Sequence, residues 1–317
     1  MPEIRVDPLS GLRTIIAPSR AARPIATRVE RGVDPASDPF GPGNEDQTPP
    51  QLYAAPSDGE WQVRVFDNLY PALDAGALEP AADARRELFT ALAAAGAHEV
   101  IVNTRRAVRA LAELEPAELG RAVEVWRERM RTHAGAACLH LSVNEGYDGG
   151  ASIPHSHAQL YALDFVPALI ARERERFEAY ATRTMGGNLL GDLVQEEVRR
   201  GERVVAIDDE GVLIAPFASW LPYQLMLAPR RPRPRFEDPG GGCEGLLHDA
   251  LGRLARLLGA SPPLNAWVRT APRGAEHFCW RIDIVPRLSG LAGLELGTGV
   301  HLNGIAPEQA AAELRAA

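Results

Sequence analysis

The sequence predicts an α+β protein in which one unit of antiparallel strands and packed helices occurs twice. Short runs of alternating apolar and polar residues indicate strands, and longer runs with apolar residues every three to four positions indicate helices. The order of these elements in the first half of the chain recurs in the second half, as expected for a duplicated unit. We place the two halves at residues 1–185 and 186–317.

The first half begins with predicted strands around a long loop. Strands are predicted at residues 13–17, 61–67, 98–103 and 138–144. Residues 34–60 are rich in Pro, Gly, Asp and Asn, which favour turns and loops. Helices are predicted at residues 82–95, 116–133 and 169–184. Helical spacing within residues 116–133 gives one apolar stripe, formed by Leu119, Val123, Trp126 and Met130.

The second half repeats these elements in the same order. After strands at residues 203–208 and 211–217, residues 224–231 correspond to residues 99–106, and a helix at residues 244–258 corresponds to the helix at 116–133. Residues 268–270 match the end of the strand at 138–144, and residues 277–281 match residues 155–159. In this alignment Cys279 takes the place of His157, so we expect the second half to act as a scaffold without a nucleophile.

Composition and charge exclude several classes of protein. Of the 317 residues, 45% are hydrophobic and 24% are charged, which is typical of a soluble globular protein. The net charge of −8 gives no electrostatic basis for binding nucleic acid. No apolar run is long enough to cross a bilayer, and the first residues lack the apolar segment of a signal peptide. Three widely spaced cysteines fit a reducing compartment, so we expect a cytoplasmic protein.

The most informative stretch is residues 144–159, NEGYDGGASIPHSHAQ. Side chains alternate between the two faces of a strand, so His155, His157, Gln159 and Tyr161 are predicted to share one face. Imidazole and carboxamide groups are costly to bury without partners, which favours a functional role for this face. Together, these residues indicate transfer of a phosphorus-centred group.

Each polar residue of this stretch has a predicted role. Neutral His157 is the candidate nucleophile, because an imidazole can attack phosphorus if its other nitrogen is held by a hydrogen bond. Gln159, Ser152 and the N–H groups near Gly149 and Gly150 can donate to oxygen atoms of the transferred group. An isolated histidine is more often structural, and Asp-Gly-Gly is also an ordinary turn, so the prediction depends on the combination.

A metal site is the alternative for the two histidines. Two histidines on one face suit zinc, but a tetrahedral site needs further ligands. The other histidines form no second close pair, and the sequence has no Cys-x-x-Cys, so we predict no metal and no other cofactor. Arg20 and Arg23 follow the first predicted strand, where guanidinium groups suit phosphate recognition.

These residues resemble the galactose-1-phosphate uridylyltransferases and related sugar-nucleotide phosphorylases of the histidine-triad superfamily. The resemblance covers nearly the whole chain and implies a duplicated histidine-triad-like fold. The matching segments are residues 7–11, 15–24, 42–50, 66–73, 144–159 and 292–299.

The resemblance also implies a role for each matching residue. His157 becomes the nucleotidylated residue. Contacts on the nucleotide and phosphate side are implied for Arg20, Arg23, Asp67, Asn68, Asn144, Ser152 and Gln159. From the loop and strand pattern, Gly149, Gly150 and His155 are also predicted to bind substrate. Glu295 is implied to bind sugar hydroxyls in the site of the partner subunit, since the family forms homodimers.

The chain departs from the family at its zinc site. The two cysteine positions before the Pro-Gly-Asn loop are Asp38 and Gly41, and the position of a third ligand is Ala107. Only His155 remains, so the zinc is predicted to be lost, and we expect His155 to hydrogen-bond to protein groups or water instead.

The predicted function is nucleotidyl transfer. A nucleoside monophosphate, UMP by resemblance, would move between a nucleotide sugar and a sugar 1-phosphate through a nucleotidyl-histidine intermediate. The alternatives are a nucleotide-sugar phosphorylase or hydrolase, or a nucleotide-binding protein with weak activity. Neither a nucleic acid nor a membrane is an expected partner.

Overall fold

The described chain consists of groups of strands separated by helices. The computed structural model describes residues 2–18, 32–34, 37–77, 88–240 and 242–317. Its strands are β1 (Glu3–Val6), β2 (Arg13–Ile16), β3 (Gln51–Ala55), β4 (Val63–Asp67), β5 (Gly96–Val102), β6 (Cys138–Glu145), β7 (His157–Leu163), β8 (Val204–Ile207), β9 (Gly211–Ile214), β10 (Leu225–Pro229), β11 (Leu264–Arg269), β12 (Arg281–Pro286) and β13 (His301–Asn303). Its helices are α1 (Pro116–Thr132), α2 (Ala168–Thr184), α3 (Leu189–Arg200), α4 (Glu244–Leu258), α5 (Gly293–Thr298) and α6 (Pro307–Ala316).

One antiparallel sheet of ten strands, counted over the described residues, joins the two halves of the chain. From the central pair outward, the first half runs β6, β7, β5, β4, β3, and the second half runs β11, β12, β10, β9, β8. The two halves therefore place their strands in the same order. In each half a helix precedes the fourth strand that the half contributes to this sheet: α1 precedes β6, and α4 precedes β11. The predicted α+β class with a duplicated unit is confirmed. A smaller sheet of β1, β2 and β13 brings the two ends of the chain together.

The register of the two halves corrects one predicted alignment. Strands β7 and β12 hold equivalent places in the sheet, and they begin at His157 and Arg281. Their second residues, Ala158 and Ile282, pair with Val143 of β6 and Val268 of β11. The residue that corresponds to His157 is therefore Arg281, the first residue of β12, and the predicted match with Cys279 is wrong. The sequence alignment placed the start of this strand at Cys279, two residues too early. Two residues are one full period of a strand, so the side-chain pattern alone did not reveal the error.

The main apolar core lies on one face of the large sheet. Helices α1, α4 and α6 pack there against apolar side chains from both halves. The predicted stripe of α1 is confirmed, because Leu119, Val123, Trp126 and Met130 are all buried in this core. The strands alternate, so the side chains of the opposite face are free to form a site.

The opposite face differs between the two halves. In the second half, α2 and α3 cover it, and Phe177 and Leu190 pack with Met226 and Ala228. In the first half, this face carries the polar side chains of β7. The candidate site therefore lies on the first-half part of the sheet.

One predicted helix is wrong where the structure describes it. Residues 82–87 of the predicted helix at 82–95 lie outside the described residues, and residues 88–95 contain no helix. The Ala94 carbonyl accepts from the Asp74 amide at 3.0 Å, and β5 begins at Gly96. Alanine-rich composition favours a helix only weakly, and the contact between Asp74 and Ala94 outweighs that preference. No helix of the described residues is both long and apolar enough to cross a membrane.

Candidate active site

His157 is the first residue of β7, and its ring orientation is fixed by the backbone. Its Nδ1 atom lies 2.8 Å from the carbonyl oxygen of His155. A carbonyl oxygen only accepts, so Nδ1 carries the hydrogen and the lone pair is on Nε2. This is the tautomer that a nucleophilic histidine needs, with the non-attacking nitrogen held by a hydrogen bond.

The surroundings of His157 favour the neutral imidazole. The residue is 6% exposed, and the Phe40 ring packs edge to face against its ring with 5.1 Å between the ring centroids. Burial lowers the pKa of His157 below its ordinary value of 6.5, because the charged form loses its hydration. The ring therefore keeps its Nε2 lone pair at neutral pH.

Gln159 follows two residues later on the same strand, as the alternation predicted. Its side-chain oxygen accepts from the Tyr161 hydroxyl at 3.0 Å and lies 2.9 Å from His98 Nε2. His98 belongs to β5, where it pairs with Tyr161, and the two rings stack with centroids 4.1 Å apart. The sequence prediction missed His98, whose only signal was a place on the neighbouring strand.

His155 precedes the strand and is fully buried. Its Nδ1 atom lies 2.6 Å from a carboxylate oxygen of Asp38, and its Nε2 atom lies 2.8 Å from the carbonyl oxygen of Thr104. The expectation that protein groups would hold His155 is confirmed. Because protein oxygen atoms face both ring nitrogens, the ring is held by the protein and neither nitrogen is turned toward a substrate or a metal.

The residues present do not fit the zinc site that the resemblance implies. Asp38 is the hydrogen-bond partner of His155, and Gly41 and Ala107 have no side-chain atoms that could bind a metal. Within the described residues, no group of three His, Cys, Asp or Glu side chains is arranged to hold a metal ion. The Asp38–His155 pair occupies the position of that site, and the absence of a metal remains a prediction.

The loop before β7 is held by an asparagine of the second half. The Asn265 amide donates to the Gly149 carbonyl and to Asn144 Oδ1, both at 2.7 Å. A side chain at Gly149 would place its Cβ 2.1 Å from the Glu145 carbonyl oxygen, so only glycine fits there. Asn265 pairs with Asn144 across the centre of the sheet, and the sequence prediction also missed it.

The loop uses part of its own hydrogen-bonding capacity. The N–H of Gly150 donates to the Tyr147 carbonyl at 2.9 Å, and the N–H of Ala151 donates to the Gly146 carbonyl at 3.1 Å. Gly150 therefore shapes the loop with a positive φ of 83° rather than directing its own N–H outward. Ser152 is exposed on the same loop, next to the strand that begins with His157.

The residues predicted on the nucleoside side have different locations. Asp67 ends β4, and the side-chain nitrogen of Asn68 lies 3.2 Å from His98 Nε2, so Asn68 is brought next to the group that faces Gln159. Glu295 lies in α5, where its carboxylate accepts from the Ala292 amide at 2.9 Å. The contacts around His157 do not include Glu295 in the described chain. Arg20 and Arg23 lie outside the described residues.

Replacement of Cys279 is expected to leave covalent chemistry at the site intact. Cys279 has no exposed surface, and burial raises the pKa of its thiol to about 11, so no thiolate forms at neutral pH. Cys279→Ala removes the thiol without adding a buried hydroxyl. We expect less than about a twofold change in the rate at which labelled nucleotide attaches to the protein. Loss of labelling would assign the chemistry to the second half.

Comparison with known proteins identifies relatives over the full chain. An ADP-glucose phosphorylase of Arabidopsis thaliana is 28% identical over 331 residues, covering 99% of this chain and 92% of that protein. A galactose-1-phosphate uridylyltransferase of Cryptococcus neoformans is 26% identical, covering 98% of this chain and 89% of that protein. The crystal structure of an Arabidopsis thaliana ADP-glucose phosphorylase with bound ADP-glucose matches with a TM-score of 0.85 and 27% identity, covering 100% of this chain and 99% of that one.

A family assignment rests on the first half of the chain, which carries His157 and Gln159. The sequence model described as galactose-1-phosphate uridyl transferase, N-terminal domain, matches residues 1–167, more than half of the 317 residues. The predicted resemblance is confirmed: the chain belongs to the galactose-1-phosphate uridyl transferase family.

Proposed function

We propose that this protein is a nucleotidylyltransferase that moves UMP between a nucleotide sugar and a sugar 1-phosphate through a nucleotidyl-His157 intermediate. The observation that carries the proposal is the tautomer of His157, a buried imidazole whose Nδ1–H is committed to the His155 carbonyl. Membership of the family supports nucleotidyl transfer as the reaction type.

The reaction consists of two displacements at the same phosphorus. Nε2 of His157 attacks the α-phosphorus of the nucleotide sugar, and the bond from that phosphorus to the sugar phosphate breaks. The sugar 1-phosphate leaves with the electron pair, and the ring becomes cationic. A phosphate oxygen of the acceptor then attacks the phosphorus, the phosphorus–nitrogen bond breaks, and its electron pair returns to Nε2. The protein contributes positioning and stabilisation of charge, as phosphoryl-type transfers require.

The His155 carbonyl has a role in both displacements. Its hydrogen bond to Nδ1–H holds the ring in one orientation before attack. When the ring carries positive charge in the intermediate, the same bond becomes charge-assisted and therefore stronger. Gln159 lies on the same face of β7 and is positioned to donate its amide to an oxygen of the transferred group.

A second candidate function is phosphorolysis of an adenine nucleotide sugar. It is favoured by the similarity to ADP-glucose phosphorylase, which extends over 99% of this chain. The first displacement would be the same, and inorganic phosphate would replace the sugar 1-phosphate as the acceptor in the second. The two candidates therefore differ in nucleobase and acceptor but share His157.

The two candidates are separated by one exchange experiment. Purified protein is incubated with UDP-hexose or ADP-glucose, together with either labelled sugar 1-phosphate or labelled inorganic phosphate. The proposal predicts label from sugar 1-phosphate in the nucleotide sugar, with uracil preferred. Label from inorganic phosphate in a nucleoside diphosphate, with adenine preferred, would establish the phosphorylase instead. No transfer from any donor would contradict both.

Attachment of the nucleotide to the protein is expected to persist as the pH falls through 6.5, the ordinary pKa of histidine. Burial lowers the pKa of His157, so the neutral ring with its lone pair predominates until the pH falls below that lowered value. Single-turnover labelling across a pH series measures this midpoint, and circular dichroism at each pH excludes acid unfolding. A midpoint at or above 6.5 with the protein folded would contradict the expectation.

A further inference from the structure

Two groups face the side-chain oxygen of Gln159 and determine how its amide is turned. Gln159 Oε1 lies 3.0 Å from the Tyr161 hydroxyl and 2.9 Å from His98 Nε2. We infer that His98 and Tyr161 are positioning residues that hold the amide nitrogen of Gln159 toward the transferred phosphoryl group. The inference rests on the proposed function for the identity of that group.

The tautomer of His98 follows from a contact with a backbone amide, because a backbone N–H can only donate. The Ala72 N–H lies 3.1 Å from His98 Nδ1 and only donates, so Nδ1 accepts and Nε2 carries the ring hydrogen. Asn68 Nδ2 lies 3.2 Å from that nitrogen but is itself a donor, because Asn68 Oδ1 accepts from the Tyr70 N–H. The acceptor for His98 Nε2–H is therefore Gln159 Oε1.

Tyr161 makes this arrangement stronger. Its hydroxyl gives Gln159 Oε1 a second donor, so both lone pairs of that oxygen are used. The stacking of the Tyr161 and His98 rings, with 4.1 Å between centroids, holds the two donors side by side. Burial also lowers the pKa of His98, which keeps the ring neutral and Nδ1 available to Ala72.

The amide nitrogen of Gln159 is left for another acceptor. Among the described residues, the structure gives this nitrogen no hydrogen-bond acceptor. A flipped amide would turn the carbonyl oxygen toward the negatively charged phosphoryl oxygens and would place the NH₂ group against the His98 N–H. Of the two amide orientations, the donors therefore select the one that stabilises negative charge on the transferred group.

A double-mutant cycle tests whether Tyr161 acts through Gln159. Tyr161→Phe removes the hydroxyl and keeps the ring stacked on His98. We expect it to slow nucleotide attachment by about 3- to 10-fold, the effect of one lost hydrogen bond. Gln159→Ala is expected to slow it by about 10²-fold. In the Gln159→Ala background, Tyr161→Phe should then cost less than about twofold, because the group that it orients is gone.

His98→Leu gives the same cycle for the second donor, and Tyr223→Phe is the matched control. The Tyr223 hydroxyl donates to Glu313 of α6 at 2.6 Å, away from the site. Any effect of Tyr223→Phe on the rate of nucleotide attachment should therefore be the same with and without the Gln159 side chain. Tyr161→Phe and His98→Leu could instead slow nucleotide attachment as much in the Gln159→Ala background as in the wild type. That result would show that both residues are merely structural and would overturn the inference.

The tautomer of His98 provides a test that does not depend on activity. Nitrogen NMR of histidine-labelled, ligand-free protein is expected to show His98 neutral, with hydrogen on Nε2 and none on Nδ1, and His98→Leu assigns the signals. The opposite tautomer would overturn the inference even if the protein is an active transferase. Wild-type protein that accepts no nucleotide but shows this tautomer would instead contradict the proposed function and leave the orientation of Gln159 supported.

Discussion

His157→Ala is expected to abolish nucleotide attachment and sugar 1-phosphate exchange, with a loss of more than about 10³-fold in both. The substitution removes the Nε2 lone pair, and without it neither displacement has a nucleophile or a leaving group. Intact-protein mass after incubation with a nucleotide sugar measures attachment, and label exchange measures turnover.

Two variants make this result specific for the imidazole. His157→Gly leaves a space of the same shape, so a preformed imidazole–nucleotide conjugate should restore transfer to the acceptor. His248→Ala is the matched control, because His248 lies on α4, on the opposite face of the sheet, and its hydrogen bond in the described part of the chain is to the Leu114 carbonyl at 3.2 Å. Attachment at the wild-type level in His157→Ala would eliminate His157 as the nucleophile.

Asp38→Ala is expected to cause the second large effect, a loss of roughly 3–5 kcal/mol in the free energy of unfolding. The carboxylate is buried beside the fully buried His155, and its removal leaves a ring nitrogen without an acceptor. Asp38 also accepts from the Phe40 N–H at 3.0 Å, and the Phe40 ring contacts His157. Nucleotide attachment should therefore slow as well, since both neighbours of His157 lose their support.

Urea unfolding measures the stability change, and two controls define its cause. Asp46→Ala removes an exposed carboxylate from the same loop region and should change the free energy of unfolding by less than about 0.5 kcal/mol. A chelator should leave the unfolding midpoint of the wild-type protein unchanged, because the Asp38–His155 hydrogen bond lies where the resemblance implies a zinc site. A chelator-induced drop, or equal stability of Asp38→Ala and the wild type, would contradict this account of the loop.

Local patterns predicted the parts of the fold that depend on periodicity. The strict alternation after His157 placed Gln159 and Tyr161 on one face of β7, and the stripe of α1 identified its buried side. Helix α3 was missed although its end signals are present, with Asn188 capping Gly191 N–H at 3.0 Å and Gly201 ending the helix at φ 72°. Its buried glutamate and charged composition obscured the apolar period.

Contacts between distant segments account for what the sequence could not predict. Asp38 and His155 are 117 residues apart, and His98 and Gln159 are 61 residues apart, so no local pattern joins either pair. The structure was needed to show that Asp38, predicted only as a lost zinc ligand, became a partner of His155. The slip between Cys279 and Arg281 has the same origin, because strand register is set by pairing across the sheet.

In the proposed reaction, His157 itself carries the nucleotide. The most direct measurement is peptide mapping of wild-type protein after incubation with a nucleotide sugar, with alkaline quenching and digestion to preserve a phosphorus–nitrogen bond. We expect one nucleoside monophosphate per chain, attached to His157, in the peptide that also contains His155 and Gln159. A nucleotide found on His155, on Cys279 or on any residue other than His157 would contradict it.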